Sequence, residues 1–149
     1  MAASPCGWYL PITSPTVLAD FLYGRLGCSP ATVRSELAVL EETGYVFQPH
    51  GYGPTRMMKE GYIRAFSAGL RSTDRLVLLP IYYAGGTAAR DISSRDIAEG
   101  VGASGRQAVA VEDRAEIFRM FGEWNAYVVF GARDDTLSDL AEEIAAKIR

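Results

Sequence analysis

Cysteine and histidine are scarce, and that scarcity excludes some chemistry before any pattern is read. Cys6 and Cys28 are the two cysteines and His50 the one histidine. With no CxxC spacing and no second histidine, the Cys and His ligands of a zinc tetrad are not supplied. No metal site is therefore expected, and both thiols are expected to stay reduced. Long apolar runs are missing too. The longest, residues 76–84, has nine residues and contains Pro80, whereas a membrane-spanning helix needs about 20. No basic segment followed by an apolar core opens the chain, so no signal peptide and no membrane partner are expected and a cytosolic location follows. Positive charge is not in excess. Lys and Arg against Asp and Glu stand at 4 to 5 over residues 1–60 and 11 to 13 over residues 61–149, giving the net −3 of the whole chain. Nucleic-acid binders draw much of their affinity from a basic patch, and bulk charge advertises none. Finally, no GxxxxGK[ST] segment is present to cradle ATP phosphates and place Mg2+. No GxGxxG is present either, since Gly51-Tyr52-Gly53 is only a fragment of one.

What is present is a foldable chain of 149 residues, 48% hydrophobic and 22% charged, enough for one compact domain or a small module joined to a larger one. Trp8, Tyr9 and Leu10 read as a short strand in an otherwise loose opening. Val17, Leu18, Phe21, Leu22 and Leu26 recur at helical spacing over residues 16–26, with Gly27 as the stop. Ser29-Pro30 reads as a cap followed by a first-turn proline, opening a helix through Glu42, and Gly44 reads as its stop. Tyr45-Val46-Phe47 reads as a strand. A turn-rich loop at residues 50–54 leads to a helix capped by Thr55, with Ile63, Phe66 and Leu70 inward. Residues 75–82 are nearly continuously apolar, as a strand buried on both faces should be. Ser93 or Ser94 caps a short helix through Glu99. Residues 108–111 read as a strand, 113–121 as a helix, 126–130 as a buried strand and 136–148 as an amphipathic helix. Strand and helix thus alternate four times from Val46 onward. That alternation predicts an α/β fold, a mostly parallel Rossmann-like sheet flanked by helices, preceded by a mainly helical segment over residues 1–45.

In such a sheet, ligands bind beyond the carboxyl ends of the strands. Three loops leave those ends, at residues 50–56, 83–94 and 131–136. Each enters a helix N-terminus, where free N–H groups and the helix dipole favour anions. Arg56, Arg90 and Arg133 lie in or beside these loops, so a phosphate or carboxylate ligand is one expectation. Glycines serving turns beside solvated arginines are the other. His50 can orient a ligand or cap a turn. Asp134-Asp135 can hold a cation, but acidic residues just before a helix more often cap it. Tyr82-Tyr83 read as strand-end packing rather than a cofactor box.

Two family resemblances overlap on this frame. Residues 46–56, VFQPHGYGPTR, resemble the VFQPHRYxRTR segment of Mur ligases, nearest to the UDP-N-acetylmuramate–L-alanine ligases. Residues 76–86, LVLLPIYYAGG, resemble that family's LLxDIYPAGE. Ile92-Ser93-Ser94 matches its xVSS helix start, and residues 128–134, VVFGARD, its VLxMGAGD. The four matches keep order and spacing across residues 46–149. The resemblance implies the C-terminal domain of a three-domain ligase that joins a UDP-muramoyl or related carboxylate to an amino acid in peptidoglycan synthesis. ATP and Mg2+ would be held by a central ATPase domain that this sequence does not contain, so a partner chain carrying it is implied and no turnover is expected from this chain alone. The resemblance carries ligand or nucleotide contacts to His50, Tyr52, Thr55, Arg56, Gly131, Ala132 and Asp134. No catalytic residue is carried over. The sequence departs from the family where charge matters: its two motif arginines are Gly51 and Pro54, its aspartate is Pro80 and its glutamate is Gly86.

Residues 22–50, LYGRLGCSPATVRSELAVLEETGYVFQPH, are similar to the winged-helix segment of heat-inducible transcription repressors, which reads roughly LGVSPATVRNEMxxLEExGYxxQPH. That similarity implies a recognition helix over residues 29–42, with Ser29, Thr32, Arg34 and Ser35 towards DNA. The same stretch also admits a ligase interpretation, in which Val17-Leu18-Ala19-Asp20-Phe21 echo the family's VIDDYAHHP strand and residues 30–40 its next helix. Three functions stand side by side at this point: a ligase domain, a DNA-binding regulator, and an interaction domain without activity.

Overall fold

The computed structural model describes residues 9–11, 43–83, 85–120 and 126–147. In chain order these form β1 (Tyr9–Pro11), β2 (Thr43–Gln48), α1 (Tyr52–Gly69), β3 (Arg75–Leu78), α2 (Ser94–Ala103), β4 (Gln107–Ala110), a 3-10 helix (Arg114–Arg119), β5 (Ala126–Gly131) and α3 (Leu137–Lys147). Strands β5, β2, β3 and β4 make an all-parallel body, and β1 extends it beyond β5, in the order β1-β5-β2-β3-β4. The α/β class expected from the alternation is the class observed. The helices that the apolar spacing suggests at 16–26 and 29–42 lie outside the described residues, as do Ser29, Thr32, Arg34 and Ser35.

Apolar residues line both faces of the central strands, which is why those strands read as unbroken runs rather than alternating ones. Leu76, Val77, Leu78 and Leu79 have no exposed surface. On one face Phe47, Leu76, Leu78 and Phe130 meet α1 and α2 through Phe66, Ile97 and Val101. On the other, Val46, Val77, Leu79 and Val129 meet the 3-10 helix and α3 through Ile117, Leu137 and Ile144. The chain steps outward from β2 through β3 to β4 with its helices on the first face. It then returns across the second face to place β5 on the opposite side of β2. Reversing direction in a right-handed crossover moves the helix to the other face, so α1 and α3 leave neighbouring strands on opposite sides.

Several boundaries differ from those expected, each for a local reason. Gly44 is buried inside β2, paired with Arg75 and Tyr127, and the helix expected to end there lies outside the described residues. Helix α1 starts three residues before the expected Thr55 cap. Gly51 (φ 72°) is the cap residue, and the Thr55 N–H already donates to the Gly51 carbonyl. Pro54 is tolerated because first-turn N–H groups have no helical acceptor. Strand β3 stops at Leu78, not Tyr82, because Pro80 has no N–H to continue the ladder. The chain regains β2's extension at Tyr82, whose N–H donates to Pro49 O at 2.8 Å. Ser93 is the cap of α2. The Asp96 carboxylate accepts its N–H at 2.8 Å and its hydroxyl at 2.9 Å, which holds the Asp96 carboxyl below the ordinary carboxylate range. Ser94 turns inward and donates to Leu79 O. The helix expected over 113–121 is a six-residue 3-10 helix, with Asp113 accepting from the N–H groups of Ala115 and Glu116.

Candidate functional site

Two facts of the topology define one rim. Every strand of the body runs the same way, so all loops leaving carboxyl ends emerge on one edge. And β2 and β5 are neighbours whose following helices diverge to opposite faces, which opens a crevice beyond their ends, the usual ligand position in sheets of this type. The register sets Gln48, the last residue of β2, beside Gly131, the last residue of β5.

The β2 side of the crevice is held by the loop that follows β3. His50 bridges to Tyr82 and stacks on its ring at 5.9 Å, and the Gly51 N–H donates to Tyr82 O at 2.9 Å. Tyr52, half-buried at the start of α1, meets the Tyr83 ring edge-on at 5.6 Å. The Arg90 guanidinium lies 4.0 Å from the centre of the Tyr83 ring and 5.8 Å from that of Tyr52, a cation–π arrangement. Tyr83 is thus more than strand-end packing. Arg56 is engaged by the same loop, donating to Ala89 O at 2.8 Å and forming an ion pair with Asp91. Hydrogen bonding from Arg56 lowers the Asp91 pKa. Thr55 is fully buried, with its hydroxyl lacking a hydrogen-bond partner. Gln48 is buried as well. Its Nε2 donates to Pro80 O at 3.4 Å, while its Oε1 has no partner.

The β5 side is built differently. Arg133 is exposed and adopts φ 62°, a left-handed conformation rare outside glycine. Asp134 is buried, and both of its oxygens are committed. Oδ2 accepts from Arg114 Nη2 at 2.6 Å, and Oδ1 accepts from the Thr136 N–H at 3.0 Å and from the Thr136 hydroxyl. Arg114 Nη1 also donates to Thr136 Oγ1 at 2.8 Å. The carboxylate acts as a turn and helix cap secured by an arginine from the 3-10 helix. Among the described residues no group of three or more His, Cys, Asp or Glu could hold a metal ion.

Of the seven ligand-contact candidates, His50, Tyr52 and Arg56 therefore share the β2 side with the loop after β3, while Gly131 ends β5 beside Gln48 and Ala132 and Asp134 follow it in the next loop. Thr55 lies inside. Pattern reading missed Gln48, Asp91 and Arg114. The last two belong to no motif, and only their placement across the fold identifies them.

Within the site, space is tight at Gly131. A Cβ there would stand 2.7 Å from Leu137 Cδ1 and 3.0 Å from the Gln48 carbonyl oxygen, whereas one on Gly53 would meet nothing within 4 Å. Gly131→Ala is expected to cost about 1–3 kcal/mol by overpacking, read as a lower urea midpoint at unchanged slope. Gly53→Ala is expected to leave the midpoint unchanged or raise it slightly.

No family model matches the chain. Partial similarity to curated proteins runs in two directions. A UDP-N-acetylmuramate–L-alanine ligase from Desulfosudis oleivorans is 42% identical over 72 residues, 48% of this chain and 15% of the ligase. A heat-inducible transcription repressor from Pelotomaculum thermopropionicum is 42% identical over 52 residues, 35% of this chain and 14% of the repressor. Another from Kineococcus radiotolerans is 65% identical over 26 residues, 17% of this chain and 8% of that protein. The chain thus spans less than a sixth of the length of any of these relatives. It carries a Mur-ligase-like region and a repressor-like region. No helix among the described residues is long and apolar enough to cross a membrane.

Proposed function

We propose that the α/β body acts as the C-terminal domain of a Mur-type ligase. It would present an anion-accepting rim to a nucleotide or UDP-muramoyl substrate, and amide-bond formation would require an ATPase domain supplied elsewhere. One observation carries the proposal. The two ligase-like segments, residues 46–56 and 128–134, are far apart in sequence, yet they end neighbouring strands at the crevice where Gln48 faces Gly131. ATP and Mg2+ belong to that ATPase domain on this view. The chain's own part is to hold the substrate's anionic group near His50, Tyr52 and Arg133, with Arg90 alongside. The charges lost at Gly51, Pro54, Pro80 and Gly86, together with the engagement of Arg56 by Asp91, make that hold weak.

The test is calorimetric titration of the full chain with ADP, with ATP and Mg2+, and with UDP-N-acetylmuramic acid. Weak saturable heat is expected from at least one of them, reduced several-fold in His50→Ala and Arg133→Ala proteins with unchanged melting temperatures. No heat from any of the three, in a protein that melts cooperatively, refutes the assignment.

The repressor-like matches favour a second function, duplex DNA binding through Ser29, Thr32, Arg34 and Ser35. Its signature is affinity that falls linearly on a log–log plot against salt and weakens on Arg34→Ala. Absence of binding at low salt removes it.

A further inference from the structure

Strand β4 ends the sheet on the side away from β1, and its outer edge pairs with no other strand among the described residues. The Val111 N–H donates to Leu78 O at 3.0 Å, in register with the Leu78–Ala110 pair. In a parallel ladder the N–H and C=O of one residue point to the same side and alternate along the strand. Val109 and Val111 therefore turn their backbone groups to β3, while Ala108 and Ala110 turn theirs outward. No hydrogen bond from those outward groups to any other part of the chain is present among the described residues. Within Gln107–Ala110 there is no charge, proline or glycine of the kind that protects an edge from pairing.

We infer that this edge docks a second copy of the same chain, antiparallel, with a two-fold axis at Val109. Self-pairing requires partner positions that sum to a constant, and the outward groups fix which constants are allowed. With Val109 on the axis, Ala108 of one copy faces Ala110 of the other, and both pairs exchange two backbone hydrogen bonds. The same register sets Arg106 opposite Glu112, a cation against an anion on each side of the axis. No neighbouring allowed register does both: an axis at Ala108 sets Arg106 opposite Ala110, and an axis at Ala110 sets it opposite Arg114. Arg106 and Glu112 also lie on one face, since Arg106 donates to Ser67 O in α1 and Glu112 pairs with Arg95 in α2.

Four backbone bonds alone do not make a stable dimer, whose two surfaces together bury about 1,200–2,000 Å². Helix α2 supplies more. It packs on β3 and β4, with Ile97 and Val101 towards the sheet. Gly100 turns to α1, where a Cβ would run into Ile63. At 100° per residue, the flank opposite Gly100 carries Gly102 and Arg95, with the buried Ala98 between them and the sheet. The Cβ direction of Gly102 is open. Small residues on that flank let two α2 helices approach across the axis at the 8–10 Å spacing typical of helix pairs. The dimer interface would thus be edge strand plus helix flank, and the crevice between β2 and β5 stays clear of it.

The full chain, 16.2 kDa as a protomer, is tested by light scattering across a concentration series. A species of twice that mass is expected. Ala110→Pro removes an outward N–H without touching the β3 ladder, and it is expected to lower the association constant at least tenfold at unchanged melting temperature. Glu112→Arg is expected to weaken association, and Arg106→Glu in the same chain to restore it. Should Ala110→Pro disturb folding, a cysteine probe decides. In a Cys6→Ser, Cys28→Ser background, Val109→Cys is expected to form an intermolecular disulfide on oxidation, because residues on the axis face each other. Gln107→Cys, which faces Val111, is expected not to. A monomer at all concentrations overturns the inference. So does a dimer that persists in Ala110→Pro, a failure of Val109→Cys to cross-link, or oligomers that grow beyond two copies.

Discussion

Arg71→Ala is expected to remove about 3–5 kcal/mol of folding stability, because it strands a buried carboxylate. Asp74 is 1% exposed. Arg71 surrounds it: its backbone N–H donates to Oδ2 at 2.9 Å, Nε to both oxygens at 3.0 and 3.1 Å, and Nη2 to Oδ1 at 2.7 Å. Nη2 also reaches Thr43 Oγ1 at 3.2 Å. The cluster therefore ties the end of α1 to the starts of β2 and β3, on the edge of the sheet away from the crevice. Loss against a total stability of about 5–15 kcal/mol should appear as a large fall in denaturant midpoint at unchanged slope. Ligand affinity of the folded fraction should not change. Arg71→Lys keeps the charge but not the planar fork, and it is expected to fall between wild type and alanine. The same cluster has an alkaline signature. Burial pushes the Tyr45 hydroxyl up to about 12, with the Asp74 charge adding and Arg71 opposing. The folded state thus favours the neutral phenol. Its contribution is complete below the ordinary value of 10.0 and is lost as pH rises from there towards 12. Stability measured across that window should fall less steeply in Tyr45→Phe than in wild type.

The strands were legible because burial on both faces leaves a local mark. Residues 76–79 and 126–130 are apolar without alternation, and the shorter runs at 45–47 and 108–111 read the same way. Helix ends were less legible. Thr55 looks like a cap by residue type, but Gly51 provides the turn, and a glycine cap leaves no side-chain signal. The 3-10 helix at Arg114–Arg119 carries the capping residues of an α-helix, Asp113 and Glu116, so composition alone does not separate the two. Strand order was not legible. Nothing in β5 itself says that it pairs with β2 rather than β4, and the crevice exists only because it does. The site divides along the same line. His50, Tyr52 and Gly131 stand out because motifs are contiguous in sequence. Asp91 and Arg114 do not, because the Arg56–Asp91 and Arg114–Asp134 pairs join segments that meet only after the sheet has formed. The opposing choices at Asp134, cation ligand or cap, resolve towards the cap once Arg114 and Thr136 are seen to use both oxygens.

Phe47→Ala is expected to cost about 3–5 kcal/mol, in the range of large aromatic truncations in well-packed cores. Phe47 lies 4% exposed in β2 and is the ring the others share. Its centroid is 4.9 Å from Phe130, 5.2 Å from Tyr62 and 5.5 Å from Phe66. Those neighbours belong to β5 and α1, so the space left by truncation opens at the junction of the two elements that bound the crevice. Relaxation there is restricted, because the Phe47 carbonyl accepts from the Leu79 N–H at 2.8 Å and holds β2 in register. Gln48, Pro49 and His50 follow directly, so the effect should reach the rim before global unfolding. Hydrogen exchange at the Gly51 and Tyr82 amides is expected to accelerate in Phe47→Ala more than the global destabilisation accounts for. Phe66→Ala, which removes a ring farther from that loop, is expected to accelerate the two amides only in proportion to its loss of global stability. Equal behaviour of the two variants at matched stability would mean that the packing of β2 and the geometry of the rim are independent, and that Phe47 is core alone.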